Sequence, residues 1–246
     1  MANILTSTGK NLRLAVFAML ALALSPLAHA AAASCQANRT EVRISQKIMP
    51  PRIDLTKTQS QLTAMRFNDS VASDRRFIEL TGLTVAGIAV DQEIRFASSG
   101  PEGGPSCVWP SVVTVTLSTA PTIYVVASHG QCLIDIGIEH EQRHVGVNKA
   151  IIDRYTAIFR QRVGTMAEAI ADDHAPPTND PQSLRSRMEE KINAMIAVTS
   201  DLMYADWTQD QRNVDTVQEY QRISKACPQV EVDPGFRSKG HLAPGA

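Results

Sequence analysis

Residues 133–225 hold two long stretches of helical periodicity separated by one break, Asp172 to Gln182 (DDHAPPTNDPQ). Apolar residues recur in both at three- and four-residue intervals, the spacing of a helix with a buried face. In the first stretch His140, His144, Val147, Ile151 and Ile158 form one lane, and Ile138, Val145, Ile152, Phe159 and Met166 form another. Two lanes mean burial on two sides, one against a sheet and one against a second helix. Asp135 reads as the cap of this first helix, which runs to about Ala171. Asp180 before Pro181 reads as an N-cap followed by proline at the first helical position. The second helix then runs from about Pro181 to Ala226. Its lane is Leu184, Met188, Ile192, Met195, Leu202, Asp206, Asp210, Val217 and Tyr220. Around so short a break the two helices form an antiparallel hairpin.

The residues before this hairpin read as strands. Thr40 to Ser45 alternates Val42 and Ile44 with Glu41 and Arg43, the pattern of a half-buried strand. Two further candidates lie between Phe77 and Phe96, broken at Gly82 and Gly87. Val112 to Leu117 and Thr122 to Ala127 are β-branched runs split by Thr119-Ala120-Pro121, and they read as a β-hairpin. The stretch after Pro50-Pro51 fits a loop or a helix equally. The expected fold class is α+β, with a β-rich N-terminal half packed on the helical hairpin.

The ends of the chain read differently. Lys10 and Arg13, the apolar run Leu14 to Leu24, and Ala28-His29-Ala30 have the three parts of a secretory signal, so residues 1–30 are expected to be removed. The apolar run is about half of a bilayer span, and no other stretch approaches one. Residues 228–246 carry Gly and Pro without periodicity and read as a loose tail. A single domain is expected over 31–227. The 24 basic and 25 acidic residues leave no positive excess to neutralise phosphates, so nucleic acid is not an expected partner. The protein is expected in the periplasm or outside the cell.

Four cysteines, Cys35, Cys107, Cys132 and Cys227, form an even count in a chain with an export signal. That favours two disulfides, for which three connectivities exist. The preferred pairing is Cys107–Cys132 within the β region and Cys35–Cys227 between the ends. No CxxC is present, which disfavours a cysteine zinc site.

Within the first helix stands His140-Glu141-Gln142-Arg143-His144, an HExxH motif. On a helix the two histidines are one turn apart on one face, so both imidazoles can reach one ion. Glu141 is displaced by about 100°. It borders the ion without crowding it and can take a proton from a water that zinc activates. A chance match on an exposed helix would show the same letters. Against it stand Ile136, Ile138, Val145 and Val147, which make this part of the helix a buried one.

A catalytic zinc has three protein ligands and an open position. The metzincin pattern requires Gly at 147 and His at 150, where this chain has Val147 and Ala150. Glu168 is a possible third ligand if the helix breaks near Gly164; along an unbroken helix it lies about 36 Å beyond His144. Reflection about a turn near Pro176-Pro177 brings Asp210 opposite the motif, with Asp206 one turn back as an alternative ligand or as a partner to a ligating histidine. A salt bridge to Arg143 or Arg154 is the bland account of both carboxylates.

With this motif the chain resembles the zincin metallopeptidases, and more narrowly a bacterial family of predicted secreted zinc-dependent proteases. The likeness covers roughly 35–225: the β-rich front half, Cys107 before Pro110 and Pro121, the HExxH helix and a second helix. That family's second helix carries a Tyr…Thr-x-His pattern. Tyr204 and Thr208 fit it, and Asp210 stands in the place of its histidine. The resemblance implies an exported Zn²⁺-dependent peptidase in which His140, His144 and Asp210 hold the metal and Glu141 is the general base. Its substrate is a peptide or protein. Tyr204 or His129 could serve as a transition-state donor. The competing expectation is a cell-envelope binding or structural protein that keeps the fold without turnover.

Overall fold

A computed structural model describes residues 35, 39–68, 82–102, 104–172 and 177–227. The expected signal segment 1–30 and the tail 228–246 lie outside the described residues. All the described residues belong to one unit, Ser34–Ala246, and they combine sheets with helices as expected for an α+β chain.

The central strand is β5 (Cys107–Thr119), flanked by β1 (Glu41–Ile48), which runs parallel to it, and β4 (Ala89–Ser99), which runs antiparallel. Val113, Val115 and Leu117 alternate along β5 and are wholly buried, because successive strand residues point to opposite faces. A register shift falls between Arg95 and Phe96, where Pro110 lies opposite Phe96. Proline has no N–H to give the ladder, and its carbonyl instead accepts from Thr40 Oγ1 at 2.8 Å.

A second three-stranded ladder follows: β2 (Arg52–Asp54) parallel to β6 (Thr122–Val125), with β3 (Gly82–Val85) antiparallel to β6. Val112–Leu117 and Thr122–Ala127 therefore do not pair as the expected hairpin. The chain continues forward from β5 through Ala120-Pro121 into β6, and each run pairs with other strands. The reason is proline. Pro50 and Pro51 on one strand and Pro121 on the next remove donors at the same level, which splits one long ladder into two. The split is bridged by Met49 N to Thr119 O and Arg52 N to Pro121 O, both 3.0 Å.

Helix α1 (Gln59–Asn68) occupies the stretch that read as loop or helix. Thr58 and Gln61 cap it reciprocally: Thr58 N donates to Gln61 Oε1 at 2.9 Å and Gln61 N to Thr58 Oγ1 at 3.3 Å.

Helix α2 (Gln131–Asp172) is unbroken through Gly146 and Gly164. It begins one turn before Asp135, after Gly130 at φ 81°. Asp135 lies inside it and accepts from Gln131 Nε2, so it is not the cap. Ile151, Ile152, Tyr155, Phe159 and Val163 bury one face of α2 in a core shared with β5 and with Met188, Ile192, Ile196 and Met203 of α3 (Pro181–Val214). Each such side chain contributes about 1.5–3 kcal/mol on burial. Asp180 caps α3 through Ser183 N, with Pro181 in the first turn. Contacts pair His144 with Gln211, Asn148 with Trp207 and Arg154 with Asp206, so α3 runs back along α2.

The expected single helix from Pro181 to Ala226 is two. After α3 ends, Asp215 and Thr216 leave helical geometry, and α4 (Val217–Ala226) begins. Thr216 Oγ1 accepts from Glu219 N, and a threonine with glutamate three residues later marks a helix start. The disulfides also differ from expectation. Cys35 bonds Cys107, and Cys132 bonds Cys227. The first pins the segment before β1 to the start of β5. The second joins the start of α2 to the end of α4, because α4 folds back beside the N-terminal turns of α2.

Candidate metal centre

The HExxH turn of α2 is held between β3 and the α3–α4 junction. Thr84 Oγ1 donates to the Glu141 carbonyl at 3.2 Å, which fixes the turn against β3. His140 and Glu141 are buried and His144 is nearly so.

Asp215 brings a carboxylate to the two histidines. His140 Nε2 lies 3.2 Å and His144 Nε2 3.3 Å from Asp215 Oδ1, and the two Nε2 atoms are 3.3 Å apart. Donors about 2.0–2.1 Å from a tetrahedral zinc stand about 3.3–3.4 Å from one another. The triangle has the size that zinc requires. Asp215 is also the exposed member of the three.

The other ring nitrogens are engaged. His140 Nδ1 donates to Glu219 Oε1 at 3.3 Å, and His144 Nδ1 faces Gln211 Oε1. An N–H on each Nδ1 leaves a lone pair on each Nε2, turned toward the other and toward Asp215. Three electron pairs that converge in this way can hold a cation. Without a metal, protons take that place in part. Burial works to lower both histidines, but the Asp215 carboxylate and Glu141 outweigh it and raise them. Asp215 is pushed well below the usual carboxylate range, its hydrogen bonds to His140 and His144 overcoming burial.

Glu219 is buried yet well satisfied. Arg222 grips it through Nε at 3.0 Å and Nη2 at 2.8 Å, and Arg143 Nη1 bonds its other side. These charges, Arg222 foremost, hold its carboxyl down at about 2, so it accepts from His140 Nδ1 as an anion. Tyr220 completes this side. Its hydroxyl donates to Asp215 Oδ1 at 3.0 Å, and its ring centre lies 6.0 Å from that of His140.

Glu141 is the remaining acidic group. Burial raises its carboxyl, and the two histidines oppose that rise. A Cβ added at Gly82 would lie 2.9 Å from Glu141 Oε1 and 3.2 Å from Tyr124 O. Gly82 is therefore what lets the glutamate approach β3 so closely. Burial thus leaves Glu141 with a carboxyl raised above its ordinary value, next to the His140–His144 pair.

Asp210 is not part of this cluster. Its Oδ2 accepts from Arg154 Nη2 at 2.7 Å, while Asp206 accepts from Arg154 Nη1 at 3.1 Å and from the Tyr155 hydroxyl at 2.9 Å. The expected third ligand and its alternative thus form a half-exposed ion pair one or more turns away. The hairpin reflection found the right level along the axis, since Gln211 meets His144, but one residue is about 100° around a helix. Glu168 is exposed near the far end of the unbroken α2 and cannot reach the histidines. Tyr204 is committed to the Ile88 carbonyl at 2.7 Å. His129 sits in a short 3-10 turn ahead of α2, with its Nε2 buried and unpartnered. Asp215, Glu219, Gln211 and Tyr220 were not singled out as site residues by sequence reasoning. The Thr216-Val-Gln-Glu219 capping signature was the available signal: it ends α3 at Asp215.

No protein-family model matches the chain, and no curated protein or solved structure matches it either.

Proposed function

We propose that this chain is an exported, zinc-dependent metallopeptidase. The observation that carries the reading is the triangle of His140 Nε2, His144 Nε2 and Asp215 Oδ1, with edges of 3.2–3.3 Å, beside the buried Glu141. His140, His144 and Asp215 would hold the ion, in place of the expected set with Asp210. When bound, Zn²⁺ supplies a Lewis acid that makes water nucleophilic near neutral pH and polarises a carbonyl.

The chain's own groups do the remainder. Glu141 removes a proton from the attacking water as its oxygen adds to the scissile carbon. The same carboxyl then gives that proton to the amide nitrogen as the C–N bond breaks, so the products are a carboxylate and an amine. Glu219 and Gln211 hold the two rings with Nε2 turned inward. Tyr220 orients Asp215. Export agrees with the signal-like residues 1–30, with two disulfides, and with the absence, among the described residues, of a helix long and apolar enough to cross a membrane.

The test is a pair of substitutions on the mature chain. Glu141→Gln keeps zinc and loses peptide hydrolysis, whereas His144→Ala loses both. Hydrolysis that survives Glu141→Gln contradicts the assignment of the base.

A further inference from the structure

The ladder of β2, β6 and β3 has two edges. β3 lies against the HExxH turn through Thr84. β2, at the other edge, has no strand on its far side among the described residues. Arg52 N–H donates to the Pro121 carbonyl, so the backbone groups of Arg52 face β6. Those of Ile53, one residue on, face outward, because successive residues of a strand bond to opposite sides. An open edge of this kind is a template for another strand.

The side chains at this edge are apolar although water reaches them. Ile53 is 46% exposed and Leu55 41%, and Met49, just before Pro50 and Pro51, is 46% exposed. Ile53 stands beside Ile123 of β6, which is wholly buried. The apolar row that fills the core thus runs on to the edge and stops there uncovered. Arg52 and Asp54 lie on the other face of the strand, with opposite charges on either side of Ile53. Thr56 donates to Asp54 Oδ1 from its N–H at 2.8 Å and its hydroxyl at 2.6 Å, which fixes that carboxylate.

The segment Arg52-Ile53-Asp54 is complementary to itself when reversed. With a second copy antiparallel and Ile53 opposite Ile53, the two residues exchange N–H···O=C bonds at a Cα separation of about 5.5 Å. Arg52 then faces Asp54 of the second copy, and Asp54 faces its Arg52, in the closer non-hydrogen-bonded positions of about 4.5 Å. One register therefore forms two ion pairs and sets apolar against apolar. A long strand from another protein fits less well, because Pro50 and Pro51 have no N–H to offer it.

We propose that a second copy of this chain occupies the edge: β2 pairs antiparallel with β2 of its partner about a twofold axis at Ile53, joining two three-stranded ladders into one. A twofold contact of this kind covers both edges and closes, so it gives a dimer and no fibre. The candidate metal centre lies on the β3 side and takes no part. The inference stands apart from the zinc reading.

Sedimentation equilibrium of the mature chain, over a wide range of concentration, tests it. The parent is expected to be a dimer. Arg52→Asp sets acid against acid at both pairs, and Asp54→Arg sets base against base; each should weaken the dimer at least about tenfold. Mixed in equal amounts, these two variants should dimerise with each other, since acid again meets base at both pairs. That recovery would also show that both variants fold. Ile53→Lys places like charges on the axis and should be monomeric, alone or mixed with either variant. A parent that stays monomeric at the highest concentration reached overturns the proposal. So does a dimer that keeps the parent's affinity in any of the three variants, because the contact then lies elsewhere. Failure of the Arg52→Asp and Asp54→Arg mixture to dimerise overturns it too, since the reversed charge pairing is what selects a second copy.

Discussion

Tyr220 donates its hydroxyl to the same oxygen, Asp215 Oδ1, that both histidines address. That oxygen lies in the short non-helical link between α3 and α4. The site is thus closed by α4, a ten-residue helix that is too short to be stable alone.

What fastens α4 should therefore govern metal binding. Cys227 at its end is bonded to Cys132, within a small apolar cluster of Leu133, Ile136 and Ile223. Replacing both cysteines by serine, Cys132→Ser with Cys227→Ser, should lower zinc affinity by about tenfold or more. The same change at Cys35 and Cys107 should leave affinity near the parent's, although either loss costs roughly 2–5 kcal/mol of stability. Chelator competition on the folded variants measures this. Equal effects from the two pairs would contradict the role given to α4.

Gly82→Ala should separate chemistry from metal binding. The new methyl would press on the Glu141 carboxylate and on the Tyr124 backbone, displacing the base but no ligand. Peptide hydrolysis should fall at least about tenfold while zinc affinity stays within a few-fold. A parallel loss of both would place Gly82 in the support of the whole site.

Stability should depend on pH in opposite ways with and without metal. His140 and His144 are raised above their ordinary 6.5. Their contribution is complete below about pH 6.5 and is lost as pH rises through the raised values. Asp215 and Glu219 are lowered from 3.8 and 4.5, and their contribution is lost as pH falls below those values. For these four groups, the metal-free protein is best served between about pH 4.5 and 6.5. Zinc competes with the histidine protons, so the stabilisation it adds should grow above that window. Thermal midpoints from pH 4 to 9, with chelator and with zinc, test both statements. A metal-free midpoint that climbs steadily from pH 6.5 to 8.5 would contradict the first.

The sequence reveals more of the helices than of the strand pairing. Periodicity locates α2 and α3, and Asp180-Pro181 marks the start of α3 to the residue, because caps and lanes are local. The hairpin reading of β5 and β6 fails because pairing is not local: Pro50, Pro51 and Pro121 interrupt the ladder only when the strands lie side by side. The cysteine pairing was hidden for the same reason. In the site, HExxH fixes two histidines and the glutamate through helix geometry alone. The third candidate ligand depends on where the second helix ends, and a single helix read from Pro181 to Ala226 runs past Asp215 and conceals that end. Asp206 and Asp210 satisfied the pattern of buried carboxylates, yet Arg154 stands at their level as their partner.

Asp210→Ala follows from that ion pair. Half-exposed pairs of this kind contribute about 0–1 kcal/mol, so the variant should unfold close to the parent and keep its zinc. The same zinc titration decides the central claim when run on the mature parent, Asp215→Ala and Asp210→Ala together. The expected result is one ion per parent chain, a strong loss of affinity in Asp215→Ala, and parent-like binding in Asp210→Ala. Parent-like zinc binding by Asp215→Ala, with loss in Asp210→Ala, would contradict the assignment of the third ligand.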